Sequence, residues 1–536
     1  MRVFHVVRRR TGLARDGASA SEVSAAAFAV APTSSAGSLD RRSGNLLGLM
    51  ALGGLVLIGA ATRVLLLDRR EMTLDEAYSF ALAQREFADM LELFRLEANG
   101  VLYPLALWPV ARLEDSIEAI RAPALAAGLV AIGAVYWAGR EYLGHRAAAF
   151  GAALFALTPA LSLDARGYSF AIMFVALSYG CLARAVRKPQ RKLWWVLYAL
   201  TLVGAAYSST IVVAVLPLAQ LLAVLPRART ALRPWLVSLA AVAITLFPLA
   251  ALLVAESSAR DPLYWETVPG FRDVVSVAAA LAGSSTNMSG GRALSAVIFA
   301  VAALAVGVAI WTCKPWRLSL RGALSSPAAA IVAWAVVSLI IVFSISQYYP
   351  IFQARYVSGA LPGIALVLGL CISLLPRAVG LAVLASLCTL LVAAPVLAQN
   401  QRIGYLEAGR WLDTTRAGGD ALVLYPMEQL APLAYYARSL RVGPDLIPVE
   451  EWRDTVLPAG VTGYKLPGGY GLTPVGPPST EALERLARRS NRIFVVSLAG
   501  FLGETKAWGE ANCSRVASRS FSLLEGLELS SCSPKA

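Results

Sequence analysis

Carboxylates, arginines and tyrosines recur along this chain in four short groups where they could act together. The first is Thr73-Leu74-Asp75-Glu76-Ala77-Tyr78, two adjacent acids a few residues past an apolar run, Asn45 to Leu67. The second is Glu97-Ala98-Asn99-Gly100-Val101-Leu102-Tyr103-Pro104, and the third Leu163-Asp164-Ala165-Arg166-Gly167-Tyr168. The fourth is Gln347-Tyr348-Tyr349 followed by Gln353-Ala354-Arg355-Tyr356. A carboxylate in such a set can take a proton from a hydroxyl nucleophile. An arginine can hold a phosphate through two parallel hydrogen bonds from its planar fork. Each group also has an ordinary reading. An Asp-Glu pair can simply be solvated, Arg166 can pair with Asp164, Arg355 can snorkel to lipid headgroups, and the tyrosines can form an interfacial aromatic belt. Topology is what joins the four groups into one candidate site.

Of the 536 residues, 57% are hydrophobic and only 15% charged, with mean hydropathy +0.61. A soluble domain carries about 25% charged residues. Apolar runs that approach the ~20 residues of a bilayer crossing fall at 45–67, 122–139, 147–163, 168–183, 193–208, 210–226, 235–254, 293–312, 327–346, 357–375 and 378–398. No strand alternation of the outer-membrane barrel kind is present. The fold class is therefore mainly α: a polytopic membrane protein of about eleven transmembrane helices. Every second connection is basic, carrying Arg140 and Arg146, then Arg184, Arg187, Lys188, Arg191 and Lys192, then Arg227, Arg229 and Arg233, and so on to Arg377. The alternate connections are acidic or mixed. By the positive-inside rule the Arg-rich N-terminus is cytoplasmic, and all four groups face outward. The net charge of +14 is then largely a signature of topology, and nucleic acid is not expected as a partner.

Three regions follow. Residues 1–44 read as a disordered basic cytoplasmic tail, 45–398 as the membrane module, and 399–536, beyond an odd number of spans, as a small extracytoplasmic α/β domain. In that domain Gly404–Arg416 and Thr480–Ser490 read as helices and Ala421–Tyr425 and Ile493–Ser497 as strands. The loop 68–121 is long, and the apolar residues within Glu86–Leu96 predict an amphipathic helix on the membrane surface. Cys513 and Cys532 both fall in the outer domain, where an oxidising compartment predicts a disulfide between them. No zinc-like Cys/His spacing, nucleotide-binding glycine loop or internal repeat appears.

Taken together, the motifs resemble those of GT-C glycosyltransferases that use lipid-linked sugars, similar to protein O-mannosyltransferases and lipid A aminoarabinose transferases (glycosyltransferase family 39-like). The Asp-Glu of the first outer loop is matched by Asp75-Glu76, a Pro-Leu-Tyr-like element loosely by Val101-Leu102-Tyr103-Pro104, and an Ala-Arg-x-Tyr turn by Ala165-Arg166-Gly167-Tyr168. An Arg-Tyr followed by Pro-Gly is matched by Arg355-Tyr356 and Pro362-Gly363. The chain departs from many relatives in one respect. Ala98-Asn99-Gly100 stands where they carry a histidine, so no metal contact from that position is expected.

The resemblance implies a multi-pass protein of a bacterial inner membrane. Its donor would be a polyprenyl-phosphate sugar, and its acceptor a glycan, lipid or protein outside the cytoplasm. Lipid phosphate leaves as a stable anion, so the reaction needs a base for the acceptor hydroxyl and cations for the phosphate. Asp75 is the expected base, with Asp164 as assistant. Arg166 and Arg355 are expected to hold phosphate, and Glu76, Glu97, Tyr103, Tyr168, Tyr348 and Tyr356 to contact substrate. No cofactor is required. If a divalent ion such as Mg²⁺ or Mn²⁺ takes part, Asp75, Glu76 and Glu97 are its oxygen ligands. The alternative is a transporter or flippase for a lipid-linked glycan, which would place polar residues near mid-bilayer and often show internal repeats.

Overall fold

A computed structural model describes residues 38–67, 70–94, 100–158, 164–251, 268–282, 289–313, 324–398, 403–417, 420–425, 430–437, 480–500 and 502–532, with 254 and 322. The tail before residue 38 and Glu97 lie outside these residues.

Each expected span overlaps a helix. In chain order these are α1 (Ser38–Val64), α5 (Ile117–Leu143), α6 (His145–Ala156), α7 (Tyr168–Arg187), α8 (Lys192–Ser208), α9 (Thr210–Val224), α10 (Ala228–Thr245), α12 (Ser289–Cys313), α13 (Pro327–Ile345), α14 (Leu361–Leu374) and α15 (Arg377–Ala398). Between them run the short helices α2 (Leu74–Ala83), α3 (Phe87–Leu93), α4 (Leu102–Ala111) and α11 (Phe271–Leu281). Among the described residues, six apolar helical stretches are long enough to cross a membrane; one of them, Thr210–Thr245, runs through the 3-10 turn Leu225–Arg227 that separates α9 from α10.

Small side chains let the helices approach closely, as membrane packing favours. α5 buries Ala124, Ala127, Ala131, Ala134 and Ala138. α6 and α14 meet backbone to backbone: a Cβ on Gly369 would stand 2.4 Å from the amide nitrogen of Gly151. At one end of α7 the same device fixes a turn, since a Cβ on Gly167 would stand 2.2 Å from the Ser208 carbonyl oxygen.

The C-terminal region contains α16 (Tyr405–Thr415), β1 (Ala421–Tyr425), α17 (Leu430–Tyr436), α18 (Thr480–Arg489), β2 (Arg492–Leu498), α19 (Gly503–Asn512), β3 (Cys513–Phe521) and β4 (Leu524–Cys532). The sheet order is β1-β2-β4-β3, with β1 parallel to β2 and the other pairs antiparallel. β2 is apolar without alternation, Ile493-Phe494-Val495-Val496, because both its faces are covered. Phe494 and Val496 pack with Trp411 and Leu433 on one side, and Ile493 and Val495 with Leu483 and Leu486 on the other. The expected helices and strands are present within a residue or so. The β3–β4 hairpin and α19 carry too many Ser, Arg and Gly residues to stand out as elements, and only the pairing shows them. The expected Cys513–Cys532 disulfide closes the open end of that hairpin.

This domain is tied to the loop between α1 and α5. The Glu71 carboxylate accepts from the amides of Gly404 (2.8 Å) and Tyr405 (3.1 Å), at the start of α16. The Tyr436 hydroxyl accepts from the Met72 amide at 2.8 Å, and Tyr435 donates to the Asp115 carbonyl at 2.8 Å. The expected surface helix is shorter than predicted. α3 turns Met90 inward, fully buried with Phe94 beside it, and leaves Phe87 and Leu91 exposed.

Candidate active site

Asp75 and Glu76 open α2, and the reason is local. Thr73-x-x-Glu76 is a capping box: the Thr73 hydroxyl accepts from the Glu76 amide at 3.4 Å, and the Glu76 carboxylate accepts from the Thr73 amide at 2.9 Å. Asp75 follows the first span by several residues and does not belong to its helix. It stands instead in the first turn of a separate helix, with acids at the positive end of the helix dipole.

The two acids then diverge, because neighbours on a helix do not share a face. Glu76 turns inward and is 1% exposed. Arg121, 1% exposed in the first turns of α5, grips it with Nε and Nη2, both at 2.8 Å. The same guanidinium donates to the carbonyls of Leu67, Arg70 and Glu71. Glu76 also accepts from the Ala165 amide at 3.1 Å and from Arg70 at 3.4 Å. Burial works to raise the Glu76 carboxyl, but Arg70 and Arg121 overcome it and hold the group well below the usual carboxylate range. Glu76 is thus the knot joining α2, α5 and the 164–167 turn. Both its oxygens, expected to contact substrate, are taken up by groups of the protein itself.

Asp75 turns the other way, its side chain 30% exposed. One oxygen accepts from Arg166 at 3.3 Å and the other from Arg355 at 3.0 Å. The three residues come from α2, from the 164–167 turn and from the loop before α14. Burial tends to raise the Asp75 carboxyl. The two guanidiniums outweigh it and hold the group below its ordinary value. Arg355 lies 5.0 Å over the Tyr356 ring and Arg166 5.8 Å over Tyr78, contacts that keep each fork in place. The buried Nε of Arg355 has no hydrogen-bond partner. Tyr168, 6% exposed at the start of α7, lies within electrostatic reach of Asp75, Arg166 and Arg355. Asp164 is bound by Arg70, which bridges it to Glu76. Burial raises the Asp164 carboxyl above its ordinary range; Arg70 pulls against that and Glu76 adds to it.

Of the expected site residues, the base candidates Asp75 and Asp164 and the substrate contacts Arg166, Tyr168, Arg355 and Tyr356 gather in one place. Two do not. Tyr103 is fully buried among Phe80, Leu107 and Ile120, and its hydroxyl donates to the Ile120 carbonyl at 2.6 Å, so it packs the loop. Tyr348 is 94% exposed and takes no part in the contacts around Asp75. Sequence reasoning passed over Arg70 and Arg121 as partners. Arg121 carried a signal, a lone arginine at the mouth of an apolar span, where an unpaired charge is costly.

Of the three oxygen ligands expected for a divalent ion, Glu97 lies outside the described residues. Glu76 is spent on Arg121, Arg70 and backbone amides, and Asp75 is held by two cations. Among the described residues, no group of three or more His, Cys, Asp or Glu side chains is placed to hold a metal.

An apolar cavity of about 260 Å³ opens between helices, lined by Leu154, Val277, Phe352, Leu361, Ile364 and Leu387 among others. Phe352 and Leu361 flank Arg355 in the chain.

A bundle of apolar helices, an Asp-bearing loop helix, converging arginines and a small α/β domain together make a fold similar to that of solved lipid-linked glycosyltransferases. A family model described as dolichyl-phosphate-mannose-protein mannosyltransferase matches residues 99–252. Among solved structures, ArnT from Cupriavidus metallidurans bound to undecaprenyl phosphate superposes with a TM-score of 0.54 at 12% identity, covering 90% of this chain and 98% of that one. The oligosaccharyltransferase AglB from Archaeoglobus fulgidus, in complex with an inhibitory peptide and a dolichol-phosphate, gives 0.47 at 12% identity, covering 86% of this chain and 71% of that one. No curated protein matches the sequence.

Proposed function

We propose that the chain moves a sugar from a polyprenyl-phosphate donor to a hydroxyl group on an acceptor outside the cytoplasm, at a bacterial inner membrane. The acceptor is lipid A, an envelope polysaccharide or a protein. One observation carries this reading above the others. A single half-buried carboxylate, Asp75, bridges two arginines from separate segments, and the loop bearing one of them also lines an apolar cavity. Two guanidinium forks, Arg166 and Arg355, meet at this one carboxylate, an arrangement that can also take up an anion. Each fork can exchange carboxylate for phosphate at little geometric cost. The apolar cavity suits the first isoprene units of the lipid. The family match and the undecaprenyl phosphate bound to ArnT point the same way.

The chemistry follows from that exchange. Before the donor arrives, the arginines depress Asp75 and make it a poor base. Donor phosphate draws the two guanidiniums toward itself, and Asp75 regains basicity where the acceptor hydroxyl enters. The acceptor oxygen bonds to the anomeric carbon as the carbon–oxygen bond to phosphate breaks. The phosphate leaves with the electron pair, stabilised by Arg166 and Arg355, and the hydroxyl proton passes to Asp75. One displacement inverts the anomeric configuration. Asp164, with its raised carboxyl, is the second candidate for the base.

Membranes containing the full chain, given a radiolabelled polyprenyl-phosphate sugar, should lose lipid-linked label to a new product. Label that crosses the bilayer unchanged would instead establish the transporter reading.

A further inference from the structure

At the opposite end of the bundle lies a cavity of about 910 Å³ that the sugar-transfer site does not use. The separation follows from α5: Arg121 grips Glu76 near its start, while Arg140 lies nineteen residues further on, about 28 Å at the helical rise of 1.5 Å per residue. The cavity is bordered by the last turns of α5 and α7, the 3-10 turn after α9, and the beginnings of α6 and α13.

Its walls are set for negative charge. Among the described residues Glu141 is the one acid lining it, and that carboxylate is consumed by Arg184, at 2.7 Å, and by Arg187. The trio keeps one net positive charge. Arg140 and Arg227 also line the cavity, and among the described residues neither has an ion-pair partner. A smaller adjoining cavity of about 350 Å³ shares Arg140 and Arg187 and adds Lys188. The N-terminal ends of α6, at Gly144 and His145, and of α13, at Ser326 and Pro327, face the same space, so two helix dipoles present their positive ends to it. Leu222, Ala223 and Ala330 complete the wall with apolar surface.

Basic residues at helix ends set topology and complement dipoles. That accounts for exposed arginines such as Arg229 and Arg233, and it requires no cavity. A volume in the range of ligand pockets, lined by cations with their one acid neutralised, calls for an occupant. We propose that this cavity is a second binding site, for a phosphate ester, taking either the headgroup of an anionic phospholipid or a soluble phosphate. Basic pockets between membrane helices hold anionic headgroups by this chemistry, and the mixed polar and apolar wall suits a headgroup with the start of its acyl chains. The reading is independent of which sugar the other end transfers.

The test uses the full chain purified in a neutral detergent. Native mass spectrometry with phosphatidylglycerol or phosphatidylcholine forms one arm; thermal shift with inorganic phosphate or glycerol 3-phosphate forms the other. The double variant Arg140→Gln/Arg227→Gln should lose at least five-fold in retained phosphatidylglycerol, or lose the shift produced by soluble phosphate. Arg140→Lys/Arg227→Lys should restore much of it. The control Arg229→Gln/Arg233→Gln removes the same charge from the same face outside the cavity and should bind like wild type. Loss confined to the cavity variant supports the site, and the arm in which it occurs names the source. Equal behaviour of the two Gln variants in both arms overturns the proposal, because surface charge alone would then explain any binding.

Discussion

Asp75 and Glu76 are neighbours in the chain, yet the protein surrounds them differently. Glu76 is sealed among a bidentate Arg121, Arg70 and backbone amides, with no lone pair left to offer. Asp75 is held by two arginines that are each about one-fifth to one-third exposed and can be drawn away by another anion. The first environment is a structural anchor; the second is exchangeable, as a site that trades a carboxylate for a phosphate requires. The difference separates folding from turnover, and the two can be broken one at a time.

Glu76→Ala should have the largest effect. It strands Arg121 as a buried charge and also removes half of the capping box. Breaking such a pair costs about 3–5 kcal/mol. Little folded protein should accumulate, and any that does should melt much lower by scanning fluorimetry. Asp75→Ala, at a half-buried position, should melt close to wild type. Equal melting of the two variants would erase the distinction between anchor and site.

Next comes Asp75→Asn, which keeps shape but cannot accept a proton at neutral pH. Its kcat should fall about 10²-fold or more with the melting temperature nearly unchanged. Turnover within a few-fold of wild type would move the base to Asp164.

Arg355→Lys sharpens the exchange idea by keeping the charge while removing the fork. The donor KM should rise, with kcat/KM falling about ten-fold, of the order of one bidentate contact exchanged for a single one. Arg355→Ala should fall further. A snorkelling arginine would tolerate Lys with little change.

The smallest effect is in pH dependence. Both carboxyls are depressed in the folded state: burial opposes the shift, and the arginines win. The stability they contribute is fully present above the ordinary carboxylate value of about 4. It is lost as pH falls through the depressed folded values. A plot of melting temperature against pH should therefore drop less steeply on the acid side for Asp75→Asn than for wild type. Parallel acid limbs would mean that the two arginines do not bind Asp75 in solution.

Much of this protein was legible in order of residues alone. Eleven apolar stretches, the basic alternation of loops, Asp75, Arg166, Arg355 and Tyr356, and the Cys513–Cys532 pair depend on composition and spacing, which are local properties. The capping box Thr73-x-x-Glu76 was equally local; it marked a helix start and the inward turn of Glu76, and it went unread. Tyr103 and Tyr348 sit in promising motifs, but one packs inside and the other faces out, because burial is decided by what lies opposite. Arg121 and Glu76 are forty-five residues apart, and Asp75 and Arg355 two hundred and eighty. No periodicity carries information across such distances. The sequence by itself determined which groups could carry charge and at which end of the helices they would stand. Only tertiary packing decided which acid would be sealed as an anchor and which left exchangeable, because that choice depends on the direction in which α5, the 164–167 turn and the loop before α14 bring their arginines to a single turn of α2.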